Sequence, residues 1–443
     1  MAIIHSLPSA FQDLFGPTAK RLGRATGFIV RQRGFGADEF LTTLVFGYLH
    51  DSQATFASLA AELELSDAAL QQRFEQPETL AFLQAVLKVA LETVLVSRPK
   101  RLRALRHFRG VYLTDSTTLP LPPSLATLFA GCGGGANNAA PKAMLKLLVT
   151  YEAQTGTIQR LTLHPAKDND HRLPWVEQLP AGSLHLTDMG FYQQARFPEE
   201  HDAGNYWISR VPCATTLRLV DTPPSASVDL VTFLQTRETQ RSLDTTVILG
   251  AKYHASPLTA RLVAWRCTKA ETEQRRRRLL ERAKTEKKKV TPALLAMCCW
   301  MVYITNVPAP QLRPREIGEL YRLRWQIELL FKRWKSWLAL AKPIRKKKAS
   351  SSLVEVYARL LGLVVSEWFS VSCGGPLTLP LVSVVKAVKK WCVTLGELLR
   401  TGQAITALLD QILRSLRRFR PRSYARSQRV QTRNRLGFTV KFA

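Results

Sequence analysis

At 443 residues the chain exceeds what one hydrophobic core usually supports, so two to four compact units are expected. Its 63 Lys and Arg against 34 Asp and Glu leave a net charge of +29, a field that attracts polyanions and makes nucleic acid the expected partner. Membrane and secreted classes are set aside. No long uncharged apolar run offers a transmembrane helix, and Met1 to Ala10 lacks a basic segment followed by an apolar one, so a cytoplasmic protein is expected. The seven Cys include the adjacent pair Cys298 and Cys299 but no C-x-x-C; they read as core thiols rather than a zinc cage or disulfide framework.

From Phe11 to about Leu95 the pattern is helical. Within it, Ser58 to Phe74 predicts helix, short turn, Ser66 as N-cap and a second helix carrying Gln71, Gln72 and Arg73 outward. This is either a helix-turn-helix that lays its second helix in a major groove or an ordinary helical hairpin, since Glu64 stands where such turns usually carry Gly. A basic linker, Arg98 to Arg109, follows. Then come a short apolar strand, Gly110 to Asp115, a Pro- and Gly-rich loop, Pro120 to Ala140, and two alternating strands, Met144 to Tyr151 and Ile158 to His164. A helix-sized segment around Leu173 precedes another strand, Ser183 to Asp188. The order predicts an α/β fold, a mixed sheet flanked by helices.

Residues 191–306 read as a β-rich insertion with strands at Tyr206 to Val211, Thr245 to Leu249, Ala260 to Cys267 and Trp300 to Thr305. Between them lies a charged helix, Lys269 to Lys289, holding the run Arg275 to Arg278, which is either a solvated face or a surface that tracks phosphates. One strong helix is predicted from about Pro314 to Leu340, then a basic knot at Lys342 to Lys348 and further apolar helices to about Phe419. Thr401 to Ala443 holds ten Lys and Arg against the single Asp410, a nucleic-acid arm or a solubilising tail. The expected organisation is a helical DNA-binding region over 1–97, a catalytic domain over 98–190 and 307–350 that the insertion divides, and a helical C-terminal region with a basic tail over 351–443.

Two segments look alike. LTDST at Leu113 to Thr117 and LTDMG at Leu186 to Gly190 each end an apolar strand in Thr-Asp. If the strands are neighbours, Asp115 and Asp188 emerge side by side, and two close carboxylates call for a shared divalent cation; each alone reads equally as a turn former or helix cap. At about 100° per residue, Tyr321, Arg324, Glu328 and Lys335 fall on one face of the predicted helix and Leu323, Ile327, Leu330 and Trp334 on the other. That polar face is either a salt-bridged surface or the third part of a site.

The spacing Y-(2)-R-(3)-E-(6)-K in YRLRWQIELLFKRWK, Tyr321 to Lys335, resembles the signature of the insertion-sequence-four family of bacterial transposases, whose best-known member is the transposase of transposon five. The LTDST strand and the D-x-G-F setting of Asp188, Gly190 and Phe191 resemble the same family. The resemblance implies an RNase H-like catalytic domain with Asp115, Asp188 and Glu328 as metal ligands for two Mg²⁺ ions, Mn²⁺ substituting. It implies Tyr321, Arg324 and Lys335 on phosphates of the transposon end, with Trp300 as a base-stacking residue that otherwise reads as core. Trp325 is a second candidate for stacking. Cut-and-paste transposition through a DNA hairpin, by a homodimer holding double-stranded transposon ends and target, is what the resemblance implies. A nuclease without strand transfer and a non-catalytic DNA-binding protein are the alternatives.

Overall fold

The computed structural model describes residues 4–31, 34–96, 105–132, 142–170, 173, 179–249, 257–336, 338–344, 346, 348–375 and 381–418. They fall into two compact units. The first takes in Met1–Arg101, Asp115–Asn169 and Trp325–Ala425, and the second Leu102–Thr114 and Asp170–Arg324.

The first unit opens with β1 (Ile4–His5) and α1 (Leu7–Asp13), where the Ser6 hydroxyl accepts from the Ser9 amide at 3.3 Å and starts the helix. Then come α2 (Ala19–Ala25), α3 (Ala37–His50), α4 (Phe56–Glu62), α5 (Asp67–Glu75) and α6 (Pro77–Glu92), before β2 (Val94–Leu95) pairs in parallel with β1. Helices α4 and α5 form the expected hairpin. Ser66 caps α5, accepting from the Ala69 amide at 3.2 Å, and Glu64 takes φ 55°, the left-handed conformation for which glycine is the usual choice.

Strand β3 (Val111–Leu121) runs past the expected loop at Pro120, so Asp115 lies within a strand rather than at its end. Strands β4 (Ala143–Glu152) and β5 (Ile158–Pro165) form the predicted antiparallel hairpin. The Glu152 carboxylate closes the turn by accepting from the Gln154 amide at 3.1 Å and the Thr155 amide at 2.5 Å. The helix expected around Leu173 lies largely outside the described residues.

The second unit is built on a mixed sheet. From the first half of β3 its hydrogen-bonded order passes through β6 (Leu184–Thr187), β7 (Tyr206–Arg210), β12 (Trp300–Thr305), β11 (Leu258–Arg266), β10 (Ser242–Leu249), β8 (Thr216–Leu219) and β9 (Val228–Asp229). Strands β3, β6 and β7 are parallel and the remainder antiparallel, so the strands read as an insertion extend the sheet that β6 enters. Helices α7 (Arg196–Asp202), α8 (Leu230–Gln235), α9 (Lys269–Glu286), α10 (Pro292–Met297) and α11 (Pro314–Tyr321) complete the unit. One core cluster packs Phe197, Trp207, Leu230, Val247, Leu262, Trp300 and Ile304, with the Phe197 and Trp207 rings stacked at 4.2 Å.

The single helix expected over Pro314 to Leu340 is broken. Residues Arg322–Arg324 form a 3₁₀ turn between α11 and α12 (Trp325–Ser336). Three long helices, α13 (Ala349–Ser372), α14 (Leu381–Arg400) and α15 (Thr406–Arg418), then finish the first unit. Helix α13 is long and apolar enough to cross a membrane, which composition had not led us to expect, but 78% of its apolar window is buried in the protein. It is a core helix: Trp368 meets Phe11 edge to face at 5.4 Å, and Phe369 meets the same ring at the same distance.

Helix α12 is fastened to α13 by charge as well as by apolar contact. The Arg333 guanidinium pairs with Glu367, which also accepts from the Trp334 indole at 3.1 Å, all three side chains being buried. Removing one partner strands a buried charge, so Glu367→Ala is expected to cost about 3–5 kcal/mol, whereas the double change Arg333→Met/Glu367→Leu returns most of it. Thermal melts of the two variants beside the parent check this, with the single variant lower than the double.

Candidate active site

The parallel register of β3 with β6 sets Leu113 against Leu186 and Thr114 against Thr187. Asp115 and Asp188 are the next residues in sequence, Asp115 within β3 and Asp188 just past Thr187, where β6 ends. Both acids are half-buried. The Asp115 carboxylate accepts from the Ser116 amide at 2.8 Å. Asp188 leads into a 3₁₀ turn, Met189–Phe191, closed by the Phe191 amide donating to its carbonyl at 2.9 Å.

The pairing is locked from inside. His185 on β6 lies buried between Thr114 and Glu200, its Nε2 at 2.9 Å from the Thr114 hydroxyl and its Nδ1 at 3.1 Å from the Glu200 carboxylate. A buried polar triad of this kind is stable because each member has a partner.

Helix α11 reaches the same sheet edge. Tyr321 is buried, with its hydroxyl donating to the Thr187 carbonyl at 3.1 Å and its ring against Tyr303 at 5.1 Å. Burial pushes its phenol far above the usual tyrosine range, Arg324 opposing and Asp188 reinforcing the shift. Arg324 places its Nε 3.8 Å from the Asp188 carboxylate. The structure therefore gathers Asp188, Tyr321 and Arg324, with the Tyr321 hydroxyl engaged with the sheet.

Two further residues hold α11 there. Arg261 is buried, pairs with Asp244 through two bonds of 2.7 Å and donates to the Leu312 carbonyl at 2.8 Å, fixing the segment that enters the helix. At Gly318, an added Cβ would stand 2.3 Å from the Trp265 ring, so only glycine lets α11 approach β11 this closely.

Glu328 and Lys335 lie on α12, half-buried, and burial lowers the Lys335 ammonium below its usual range. Tyr321 and Arg324 precede α12, Tyr321 at the end of α11 and Arg324 in the 3₁₀ turn. The opposite face is as expected: Leu323, Ile327, Leu330 and Trp334 are all buried.

Trp300 is 4% exposed within the core cluster, whereas Trp325 is 54% exposed. On α5, Gln71 and Gln72 are exposed. Arg73 turns inward, donating to the Phe28 carbonyl at 3.3 Å and lying over the Phe28 and Phe35 rings, because aromatic faces hold the cation more firmly than solvent does. Sequence reading missed His185, Glu200, Arg261 and Gly318. Only Gly318 left a signal, a glycine inside a helical run.

Among the described residues no group of three or more His, Cys, Asp or Glu side chains stands close enough together to hold an ion. In donor type Asp115, Asp188 and Glu328, being carboxylates only, fit a hard divalent cation.

A strongly basic chain with a mixed sheet, two acids following paired threonines and a guanidinium beside the second acid has the features of an enzyme that works on nucleic-acid phosphates. Residues 106–361 match the family described as "Transposase DDE domain", and the chain belongs to that family. Relatives include the transposase for insertion sequence element IS231F of Bacillus thuringiensis subsp. israelensis, 24% identical over 340 residues that cover 72% of this chain and 70% of that protein. The transposase for IS1151 of Clostridium perfringens is 24% identical over 375 residues, 78% of this chain and 76% of that one. The putative transposase InsL for IS186A of Escherichia coli (strain K12) is 26% identical over 312 residues, 69% and 76% of the two chains. The protein is thus an enzyme of the transposase class, and DNA is its partner.

If Gly318 sets the seat of α11, Gly318→Ala drives the Trp265 ring or the helix aside. Overpacking of this kind costs about 1–3 kcal/mol, and it moves Tyr321 and Arg324 with the helix. A lowered melting temperature together with slower DNA cleavage is expected, measured on one preparation.

Proposed function

We propose that the chain is a cut-and-paste transposase of the insertion-sequence-four type, with an RNase H-like catalytic domain that uses Asp115, Asp188 and Glu328. The observation that carries the reading is the β3–β6 register, which sets Thr114 against Thr187 immediately before the two acids, with Arg324 of the signature beside Asp188. The family normally uses divalent metal ions. When bound, two Mg²⁺ ions, or Mn²⁺ in their place, supply activation of the attacking oxygen and charge neutralisation at the leaving one.

The chain's own residues divide the remaining work. Asp115, Asp188 and Glu328 offer only hard oxygen ligands, which suits a cation that keeps several waters and bridges to phosphate. Arg324 binds a phosphate oxygen and holds the scissile group in line, and Lys335 takes a neighbouring phosphate of the transposon end. Tyr321 acts through Thr187, fixing the carbonyl one residue ahead of Asp188. Trp325 stacks on an extruded base; Gln71 and Gln72 read the end through α5. Water attacks first and frees a 3′-hydroxyl; that hydroxyl attacks the opposite strand, closing a hairpin as the flanking DNA leaves with its own 3′-hydroxyl, and a second water reopens the hairpin to regenerate the 3′-hydroxyl that attacks the target. Two copies of the chain hold the two ends, the helical region 1–97 and the basic tail adding affinity, and the protein works in the bacterial cytoplasm.

Glu328→Gln, Asp115→Asn and Asp188→Asn are each expected to slow cleavage of the element's end DNA more than about a hundredfold, about 2.7 kcal/mol of transition-state stabilisation, while leaving DNA binding intact. Cleavage by Glu328→Gln at the parent rate on a denaturing gel in Mg²⁺ overturns the assignment, and chelation is expected to stop the parent.

The two tryptophans separate stacking from packing. Trp300→Ala opens a cavity in the second unit's core and is expected to cost about 3–5 kcal/mol, lowering nicking and hairpin formation together with the melting temperature. Trp325→Ala leaves the melting temperature in place and depresses hairpin formation by about one to two powers of ten, as loss of about 1–3 kcal/mol of base stacking predicts. Both steps and the melt are read on the same samples.

A further inference from the structure

Helix α9 has no role in the reading above, and its form is unusual for a globular protein. None of its 18 residues is buried, and it carries the run Arg275 to Arg278 followed by Arg282 and Lys284. It is nevertheless firmly built. Thr268 caps it, accepting from the Glu271 amide at 3.2 Å while the Glu271 carboxylate accepts from the Thr268 amide at 2.9 Å. Its far end is closed by Lys287 at φ 52°, with the cap amide returning to the Ala283 and Lys284 carbonyls.

Its orientation is fixed by one stripe. Glu271, Arg275, Arg278 and Arg282 recur at the spacing that keeps side chains on one helix face. Three of the four are tied to this unit. Glu271 has the Arg322 charge among those acting on its carboxylate. Arg275 donates to the Trp300 carbonyl at 2.7 Å and the Met297 carbonyl at 3.4 Å, seating the helix against β12. The Arg282 guanidinium is held above its usual range first by its bond to Glu286, 2.6 Å away, and further by the charge of Asp188. Because Arg275 on the stripe bonds the first residue of β12, and β12 runs antiparallel to β7 and β6, the stripe lies at the end of the sheet where Asp188 follows β6, with Arg278 and Arg282 exposed upon it.

We propose that the Arg278–Arg282 edge of α9 is a phosphate rail for the transposon-end duplex, gripping the strand beside the phosphodiester presented at Asp188. Four residues of helix advance about 6 Å, close to the rise of two base pairs along one strand, so the two guanidiniums suit two different phosphates of that strand rather than one. Arginine forks match phosphate oxygens through paired donors. Glu286 holds Arg282 in waiting and releases it to the stronger anion. The proposal rests on Asp188 standing at the scissile phosphate.

The test compares two charge-matched double variants of the full chain, Arg278→Gln/Arg282→Gln on the stripe and Arg277→Gln/Lys284→Gln on the far side of the helix. Binding to a duplex carrying the element's terminal sequence is measured against salt concentration without divalent metal. The stripe variant is expected to flatten the slope of log affinity against log salt by about 2, one unit for each phosphate that the variant no longer neutralises, and the far-side variant by less than half as much. Equal flattening by both variants, or none by the stripe variant, overturns the rail. Flattening seen only with a target duplex and pre-cut ends overturns the assignment to the end being cut. Glu328→Gln run in parallel keeps the two readings apart: cleavage by that variant in Mg²⁺ sinks the catalytic assignment, while the salt slopes still decide what α9 does.

Discussion

The register of two parallel strands is the constraint on which the site depends. Strands β3 and β6 are joined by no hairpin, so no turn geometry sets their alignment, and a slip of one residue would turn every side chain to the opposite face. Apolar alternation alone leaves a short strand such as Leu184–Thr187 weakly specified. His185 supplies what the pattern lacks. Bonded to Thr114 on one side and Glu200 on the other, it accepts one alignment, since any other would bury a carboxylate and an imidazole without partners. Tyr321 adds a second fixed point by donating to the Thr187 carbonyl. Two acids one residue beyond Thr114 and Thr187 owe their placement to these buried hydrogen bonds more than to their own.

The positive field has a structural consequence as well as a functional one. With +29 to accommodate, the chain uses its few acids twice over, as helix caps and as counter-ions to buried arginines. Glu355 and Glu367 neutralise Arg359 and Arg333 inside the first unit, Asp244 neutralises Arg261 in the second, and Glu271 caps the most basic helix. The excess positive charge is therefore left on the surface, where α9 is the clearest case. Surface repulsion of this sort weakens the compact state and is relieved when a polyanion binds, so DNA completes the electrostatics of the molecule.

Much of this was legible in the sequence. The strands at Tyr206, Thr245, Ala260 and Trp300, the hairpin of β4 and β5, the Ser66 cap and the strain at Glu64 all follow from local chemistry, and local chemistry is what a sequence displays. Both Thr-Asp segments were legible for the same reason. What was not legible arises between distant residues. Arg333 finds Glu367, Arg73 finds Phe28 and Phe35, and His185 finds Glu200 only after folding, and nothing in spacing announces them. Trp300 shows the limit from the other side. An aromatic residue opening an apolar strand fits a base platform and a core equally, and the buried neighbours that decide for the core come from α8, β10 and β11.

The break at Arg322–Arg324 was hidden for a different reason: apolar residues keep helical spacing straight through it, so Leu323, Ile327, Leu330 and Trp334 are buried whether the helix is continuous or not. A 3₁₀ turn winds about 120° per residue instead of about 100°, so it interrupts the α-helical phase that the sequence pattern assumes. The signature is thereby carried on two supports. Tyr321 and Arg324 take their positions from α11, which Gly318 and Arg261 seat against the sheet beside Asp188. Glu328 and Lys335 take theirs from α12, which Arg333 and Trp334 fasten to α13 through Glu367. One uninterrupted helix would have bound all four residues to a single rigid face. Dividing them lets each half of the signature be fixed by its own buried core, at the price of a turn whose only sequence mark is the absence of any break.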